Sequence, residues 1–301
     1  MSSKPRIGFI GVGLMGHGMA KNILEAGYPL TVMGHKNRKP VTDLVKRGAK
    51  EAKTAAALAG QSDVIFLCVT SSAQVEELVR GKTGIMAGVA KGAIIVDTST
   101  SDPTSTLALA AELKAIGVKL IDAPLGRTPR EAKEGRLNTF VGSDAKTLKE
   151  VRPIIETWAE NIIHVGPVGN GHKIKLINNF IAMSYSAVWA EAYTACLMTG
   201  VDQKTLYNVV KAGGMYCGNF ENMSKWVIGR DPKAHEFAIR NCLKDQRYFN
   251  NMIEAAGMAA VVAPSVKQSY ALAVAKGDGD RHMPMMSDVI GELNGLKFKK
   301  K

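Results

Sequence analysis

The 301-residue chain lacks any run of about 18 uncharged apolar residues, the length a helix needs to cross a bilayer, so a membrane-spanning role is not expected. Cysteine is scarce: Cys68, Cys196, Cys217 and Cys242 form no Cys-x-x-Cys pair, and no histidine spacing suits zinc. A disulfide framework and a structural metal are therefore not expected, and the thiols should be buried or neutral. No internal repeat and no low-complexity linker interrupts the chain. Lys and Arg exceed Asp and Glu by 39 to 27, a net charge of +12, but no aromatic residues interleave with the basic ones. That argues against nucleic acid as a partner and for attraction of small anions. Part of the excess sits in Lys297, Phe298, Lys299, Lys300 and Lys301, a tail expected to fray. Lys4 and Arg6 precede the apolar run Ile7 to Ile10, but the glycines at 8, 11 and 13 break it. It reads as a strand and turn rather than a leader, and the expected location is the cytoplasm.

What is present is a chain 46% hydrophobic, long enough for two domains. Short apolar runs at Ile7 to Ile10, Leu30 to Met33, Val64 to Val69, Ala93 to Val96 and Lys119 to Ile121 read as buried parallel strands. Helical patterns separate them at Leu14 to Ala26, Ser72 to Val79 and Pro103 to Ile116. This alternation predicts right-handed βαβ units in an α/β fold, a doubly wound Rossmann-type sheet. Strands near Thr139 to Val141 and Ile162 to Val165, after a helix over Ala145 to Trp158, are expected to extend it. The run Gly166-Pro167-Val168-Gly169-Asn170-Gly171 reads as a junction. Past it the pattern is helical only: His172 to Thr199, Asp202 to Ala212, Asn219 to Val227, Ala234 to Ala256 and Pro264 to Ala275. The expected organisation is a dinucleotide-binding domain over 1–166, then an all-helical substrate and oligomerisation domain over 167–301, joined by a long helix.

The segment Ile7-Gly8-Phe9-Ile10-Gly11-Val12-Gly13-Leu14-Met15-Gly16 runs from a strand through Gly-x-Gly-x-x-Gly into a helix. Gly11 permits the turn, Gly13 admits a pyrophosphate to the backbone, and Gly16 lets helix and strand pack closely, with Leu14 and Met15 opening the helix. The helix N-terminus offers N–H groups to phosphate. An NAD site usually carries Asp or Glu at the end of the second strand for the ribose hydroxyls. Here Gly34-His35-Lys36-Asn37-Arg38 follows instead. Lys36 and Arg38 suit a 2′-phosphate, so NADP is favoured over NAD; plain solvated loop charge is the alternative.

At this point the sequence resembles the β-hydroxyacid dehydrogenases, the group containing 3-hydroxyisobutyrate dehydrogenase and tartronate semialdehyde reductase. Four segments carry the resemblance in order along nearly the whole chain: Gly8 to Gly16, Asp122-Ala123-Pro124, Gly169-x-Gly171-x-x-x-Lys175-x-x-Asn178-Asn179, and Lys244-Asp245. The resemblance implies Lys175 and Asn179 as catalytic residues, and Val69, Thr70, Thr100 and Lys244 beside the cofactor, the alternative for these four being strand-end caps or surface residues; His35, Lys36 and Arg38 are expected around the ribose from the loop sequence itself. The spacing i, i+3, i+4 puts Lys175, Asn178 and Asn179 on one helical face. There a lysine can protonate an alkoxide as a carbonyl accepts hydride, although spacing alone is equally that of a solvated polar face.

The chain departs from the family in its substrate loop, where Asp-x-Pro-Val-Ser-Gly-Gly becomes Asp122-Ala123-Pro124-Leu125-Gly126-Arg127-Thr128. Gly126 replaces a substrate-binding serine, and Arg127-Thr128 replaces a glycine pair. This variant is similar to the sulfolactaldehyde and succinic semialdehyde reductase branch. Arg127 and Thr128, with Asn178, are expected to hold an acidic group of the substrate; the alternatives for Arg127 are a cofactor phosphate or pairing with Glu131 or Glu134. The expected activity is interconversion of a short acidic semialdehyde and its hydroxy acid. An imine reductase and a non-catalytic dinucleotide-dependent binder are the competing readings, and Lys175 weighs against both. The resemblance also implies a homodimer or homotetramer.

Overall fold

The computed structural model describes residues 4–298, so Lys299, Lys300 and Lys301 of the expected frayed tail lie outside the described residues. Phe298 is the last described residue, and the Arg230 guanidinium stands 5.1 Å from its ring centre. The elements run β1 (Ile7–Ile10), α1 (Gly16–Glu25), β2 (Leu30–Met33), α2 (Lys39–Lys46), β3 (Lys50–Ala52), α3 (Ala55–Ala59), β4 (Val64–Leu67), α4 (Ser72–Arg80), β5 (Ile94–Asp97), α5 (Pro103–Ala115), β6 (Lys119–Asp122), β7 (Leu125–Gly126), α6 (Pro129–Glu134), β8 (Leu137–Val141), α7 (Ala145–Ile155) and β9 (Ala159–His164). Then follow α8 (Asn170–Thr199), α9 (Gln203–Ala212), α10 (Gly218–Val227), α11 (Ile239–Ala255), α12 (Val262–Ala275) and α13 (Met286–Leu293). The chain divides into two compact units, one ending at Lys175 and the other starting at Leu176.

The first unit is built on a parallel six-stranded sheet in the order β3-β2-β1-β4-β5-β6. The apolar runs are buried on both faces, which is why they are continuous rather than alternating. Ile7 and Phe9 of β1 and Val64 and Phe66 of β4 enter one core with Trp158, while Ile10, Ile65 and Leu67 enter another with Leu58 and Leu113. The order reverses between β1 and β4, the point at which doubly wound sheets open a crevice for a ligand at the carboxyl ends of the strands. Side-chain caps from Ser71, Asp102 and Asp144 start α4, α5 and α7.

Two expectations need correction. β8 and β9 do not extend the main sheet. With β7 they form a separate three-stranded sheet, linked to β6 by an isolated bridge from Asp122 to Gly142. Pro124 has no N–H with which to continue the β6 ladder, so the chain turns and β7 pairs antiparallel with β8. The helix expected from Ala234 starts only at Ile239. An Asx turn, in which Lys233 N–H donates to Asp231 Oδ1 at 2.9 Å, holds the preceding segment out of helix.

The second unit is helical throughout its described elements. Its core gathers Trp189, Tyr193, Phe220, Met223, Ile239 and Tyr270. Among the described residues no helix is long and apolar enough to cross a membrane.

Candidate active site

The loop from β1 into α1 stands at the strand-order reversal. Gly11 has φ +99°, and a Cβ there would overlap the Cys68 carbonyl at the end of β4. A Cβ on Gly16 would overlap the Gly11 carbonyl, so these two glycines are required by the fold itself. Gly13 differs. It is exposed, and a Cβ on it meets nothing within 4 Å. The space beside it is open to a ligand. No side chain caps α1, whose N-cap residue is Met15, in contrast to α4, α5 and α7. At this turn His17 N–H donates to the Gly13 carbonyl at 3.0 Å, and the positive end of the helix dipole faces the open space beside Gly13, where an anion is favoured. An open glycine before an uncapped helix fits the pyrophosphate of a dinucleotide.

The expected cofactor residues of the first unit follow its strands at the same carboxyl edge. Val69 and Thr70 follow β4, and the Val69 N–H donates to Ser99 Oγ at 3.0 Å, tying this loop to the one after β5. There Asp97 accepts from Ser99 N–H at 2.9 Å and Ser101 Oγ at 3.0 Å, shaping the turn that carries Thr100. Gly34 to Arg38 follow β2, with His35, Lys36 and Arg38 exposed. Arg38 is not free in this loop: Glu51 of β3 binds it through two bonds of 2.7 and 2.8 Å. The Arg38 guanidinium holds the Glu51 carboxyl below its ordinary range, chiefly by that hydrogen bonding. Sequence reasoning missed Glu51 because nothing local marks which strand lies beside β2.

Asp122, the first residue of the second family segment, has a role that its motif does not reveal. Fully buried, its Oδ1 accepts from Gly169 N–H and its Oδ2 from His172 N–H, both at 2.7 Å. It fastens the start of α8 to the end of β6, and burial pushes its carboxyl upward against the opposing pull of His172. His172 is itself buried, its Nε2–H donating to the Ser99 carbonyl at 3.1 Å and its Nδ1 standing 2.7 Å from Thr106 Oγ1. Lys175, half-buried, lies one turn further along this anchored helix. Asp122→Asn keeps one acceptor and sets an N–H group against the other donor. It should lower unfolding free energy by about 1–3 kcal/mol in urea melts; wild-type stability would contradict the anchoring role.

Asn178 and Asn179 follow on α8. Asn178 is exposed, whereas Asn179 is buried and its Nδ2 donates to Asp245 Oδ2 at 2.7 Å. The other Asp245 oxygen lies 2.8 Å from Lys244 Nζ, and Lys244 stands 4.8 Å from the Tyr248 ring centre. Asp245 thus holds two of the expected site residues, a task invisible in its bare pairing with Lys244.

The substrate loop departs furthest from expectation. Thr128 is the N-cap of α6, its hydroxyl 2.5 Å from Glu131 Oε2 in a capping box. Arg127 pairs with neither Glu131 nor Glu134: its guanidinium is paired with Glu160 of β9 and donates to the Arg136 carbonyl at 2.5 Å. Its φ is +75°, so the chain keeps a glycine-like backbone at a position filled by arginine. Gly126 lies in β7, against Asn138 of β8.

A sheet in this order, with an open glycine loop at its reversal and a lysine-bearing helix fastened to its carboxyl edge, defines a dinucleotide-dependent dehydrogenase. Known proteins agree. Residues 6–166 match the family model for the NAD-binding domain of 6-phosphogluconate dehydrogenase, and residues 169–290 match that for NAD-binding of NADP-dependent 3-hydroxyisobutyrate dehydrogenase. A probable 3-hydroxyisobutyrate dehydrogenase-like 2 protein of Arabidopsis thaliana is 31% identical over 98% of this chain and 96% of its own length. Glyoxylate/succinic semialdehyde reductase 2 of the same plant is 28% identical over 97% of this chain and 80% of its own. The crystal structure of a 3-hydroxyisobutyrate dehydrogenase from Salmonella typhimurium shares the fold, with TM-score 0.83 at 23% identity over 95% of this chain and all of that one. The chain belongs to the β-hydroxyacid dehydrogenase family, NAD(P)-dependent oxidoreductases acting on CH–OH groups.

Proposed function

We propose that this enzyme reduces a short aldehyde bearing an acidic group, or oxidises the matching hydroxy acid, with Lys175 as general acid and base. The observation that carries the reading is Lys175 on a helix whose first turn Asp122 fastens to the carboxyl edge of the sheet. A bound nicotinamide dinucleotide supplies or takes the hydride. Lys175 gives a proton to the carbonyl oxygen during reduction and takes it from the hydroxyl during oxidation. Asn179, its amide held by Asp245 and its carbonyl accepting from Asn178 Nδ2 at 3.4 Å, has a second carbonyl lone pair for orienting the lysine or the substrate hydroxyl. Asn178 contributes to the substrate side. NADP is the favoured cofactor, on Lys36 and Arg38 beside Gly34.

The acidic group is assigned to Arg127. A non-glycine residue in the left-handed region costs about 1–2 kcal/mol, and such strain concentrates at functional sites. Glu160 is no barrier, since an exposed ion pair is worth only about 0–1 kcal/mol and an incoming carboxylate or sulfonate can replace it. The name of the Arabidopsis glyoxylate/succinic semialdehyde reductase is in keeping with such a substrate. A panel of carboxylate-bearing, sulfonate-bearing and uncharged aldehydes, assayed with NADPH and NADH, tests this. Arg127→Ala should lower kcat/KM about tenfold or more for anionic aldehydes, the loss of one charge-assisted contact, and leave uncharged ones nearly unchanged. Equal kcat/KM for anionic substrates in both proteins would remove Arg127 from the site. The stripe Ile177, Ile181, Tyr185 and Val188 on α8 is exposed in the single chain, and a homodimer or homotetramer that covers it is part of this reading.

A further inference from the structure

We propose that Glu51 is a specificity-determining residue of the dinucleotide site: delivered from β3 rather than from the end of β2, its carboxylate takes the ribose hydroxyls of an unphosphorylated dinucleotide and restrains Arg38 from a phosphorylated one. This rests on the reading of the Gly34 to Arg38 loop as the face of the adenosine ribose.

Three observations carry it. Residue 34 directly follows the second strand, where an NAD site ordinarily plants an acid, and here it is a glycine with no side chain. A Cβ built on Gly34 would overlap Arg38 Nη1 and stand 2.8 Å from Glu51 Oε1. The Arg38 guanidinium therefore fills the place of a side chain at position 34, and the Glu51 carboxylate that holds it borders the same space. Second, Glu51 reaches that space because β3 pairs in parallel with β2, with Val32 opposite Glu51 and Met33 opposite Ala52. Third, the only side chain bound to Glu51 among the hydrogen bonds of the described residues is Arg38, in a bidentate fork, the geometry that an arginine also offers to phosphate. One guanidinium thus has two rival anions, the resident carboxylate and an incoming 2′-phosphate.

The fork decides between cofactors in a definite direction. A 2′-phosphate must separate Arg38 from Glu51 and then sit near the released negative charge. A ribose 2′-hydroxyl needs no such exchange, because it can donate directly to Glu51. Arg38 is more than half exposed, so the pair is weak and salt-screened. The restraint is therefore modest, and both cofactors remain usable.

Dissociation constants for NADPH and NADH, measured by fluorescence titration on the full chain, test this in wild type, Glu51→Gln, Glu51→Asp and Arg38→Ala. Glu51→Gln should tighten NADPH about three- to fivefold, the worth of an exposed pair, and weaken NADH severalfold. The tightening should shrink in 1 M salt. Glu51→Asp, which keeps the charge, should stay within about twofold of wild type for both. Arg38→Ala should weaken NADPH about tenfold and leave NADH within twofold, one lost charge-assisted contact to phosphate. Unchanged NADPH binding in Arg38→Ala would overturn the placement of the 2′-phosphate and the selector with it. A loss of NADPH binding in Arg38→Ala together with unchanged constants in Glu51→Gln would leave the loop assignment standing and overturn the role of Glu51 alone. A parallel change for both cofactors in Glu51→Gln would mark Glu51 as merely structural.

Discussion

Lys175→Met lowers kcat/KM for aldehyde reduction by about 10²–10⁴-fold, the usual worth of a positioned general acid, while NADPH binding stays at its wild-type strength. The lysine lies neither in the glycine loop nor beside the ribose, so the loss falls on the proton transfer. Methionine keeps the length of the side chain and its helix propensity, which leaves α8 intact. In Lys175→Ala, which vacates the space, added primary amines should restore part of the rate by returning a proton donor. Stopped-flow single turnovers, which follow nicotinamide absorbance before product release, separate this from a slowed release step. A rate within threefold of wild type would end the assignment of Lys175.

The second large effect separates two glycines of one motif. Gly11→Ala should cost at least about 2 kcal/mol, from the left-handed backbone and overlap with the Cys68 carbonyl, and lower Tm by about 4–8 °C. Gly13→Ala should leave Tm unchanged or slightly raised, because its Cβ meets nothing in the free chain and alanine narrows the unfolded ensemble. Its penalty appears only with ligand. A methyl group beside the uncapped start of α1 holds the pyrophosphate off the backbone, and NADPH affinity should fall at least about tenfold, equivalent to about 1.4 kcal/mol. Thermal melts with and without NADPH check both. Wild-type cofactor binding in Gly13→Ala would show that the pyrophosphate lies elsewhere.

The two variants also mark how far one motif carries. Gly-x-Gly-x-x-Gly identifies the loop at once, but its glycines are not equivalent. Only the carbonyl of a strand more than fifty residues away makes Gly11 a fold residue and Gly13 a ligand residue. In the same way, the run Lys50-Glu51-Ala52 has no apolar pattern by which to be read as a strand, and becomes β3 through its pairing with β2.

Sequence alone determined the features written in local pattern. Buried strands appear as apolar runs because both their faces are covered. The glycine loop, the spacing of Lys175, Asn178 and Asn179, and the Arg127 departure are likewise contiguous. Tertiary structure decided the partners. Arg38 and Glu51 are 13 residues apart, Arg127 and Glu160 are 33, Asp122 and Gly169 are 47, and Asn179 and Asp245 are 66. No periodicity announces such pairs, because a charged side chain's partner is set by which strands and helices the fold brings alongside. The acid missing from Gly34 was never absent from this protein: it stands on the neighbouring strand, and only the register of β2 with β3 puts it in place.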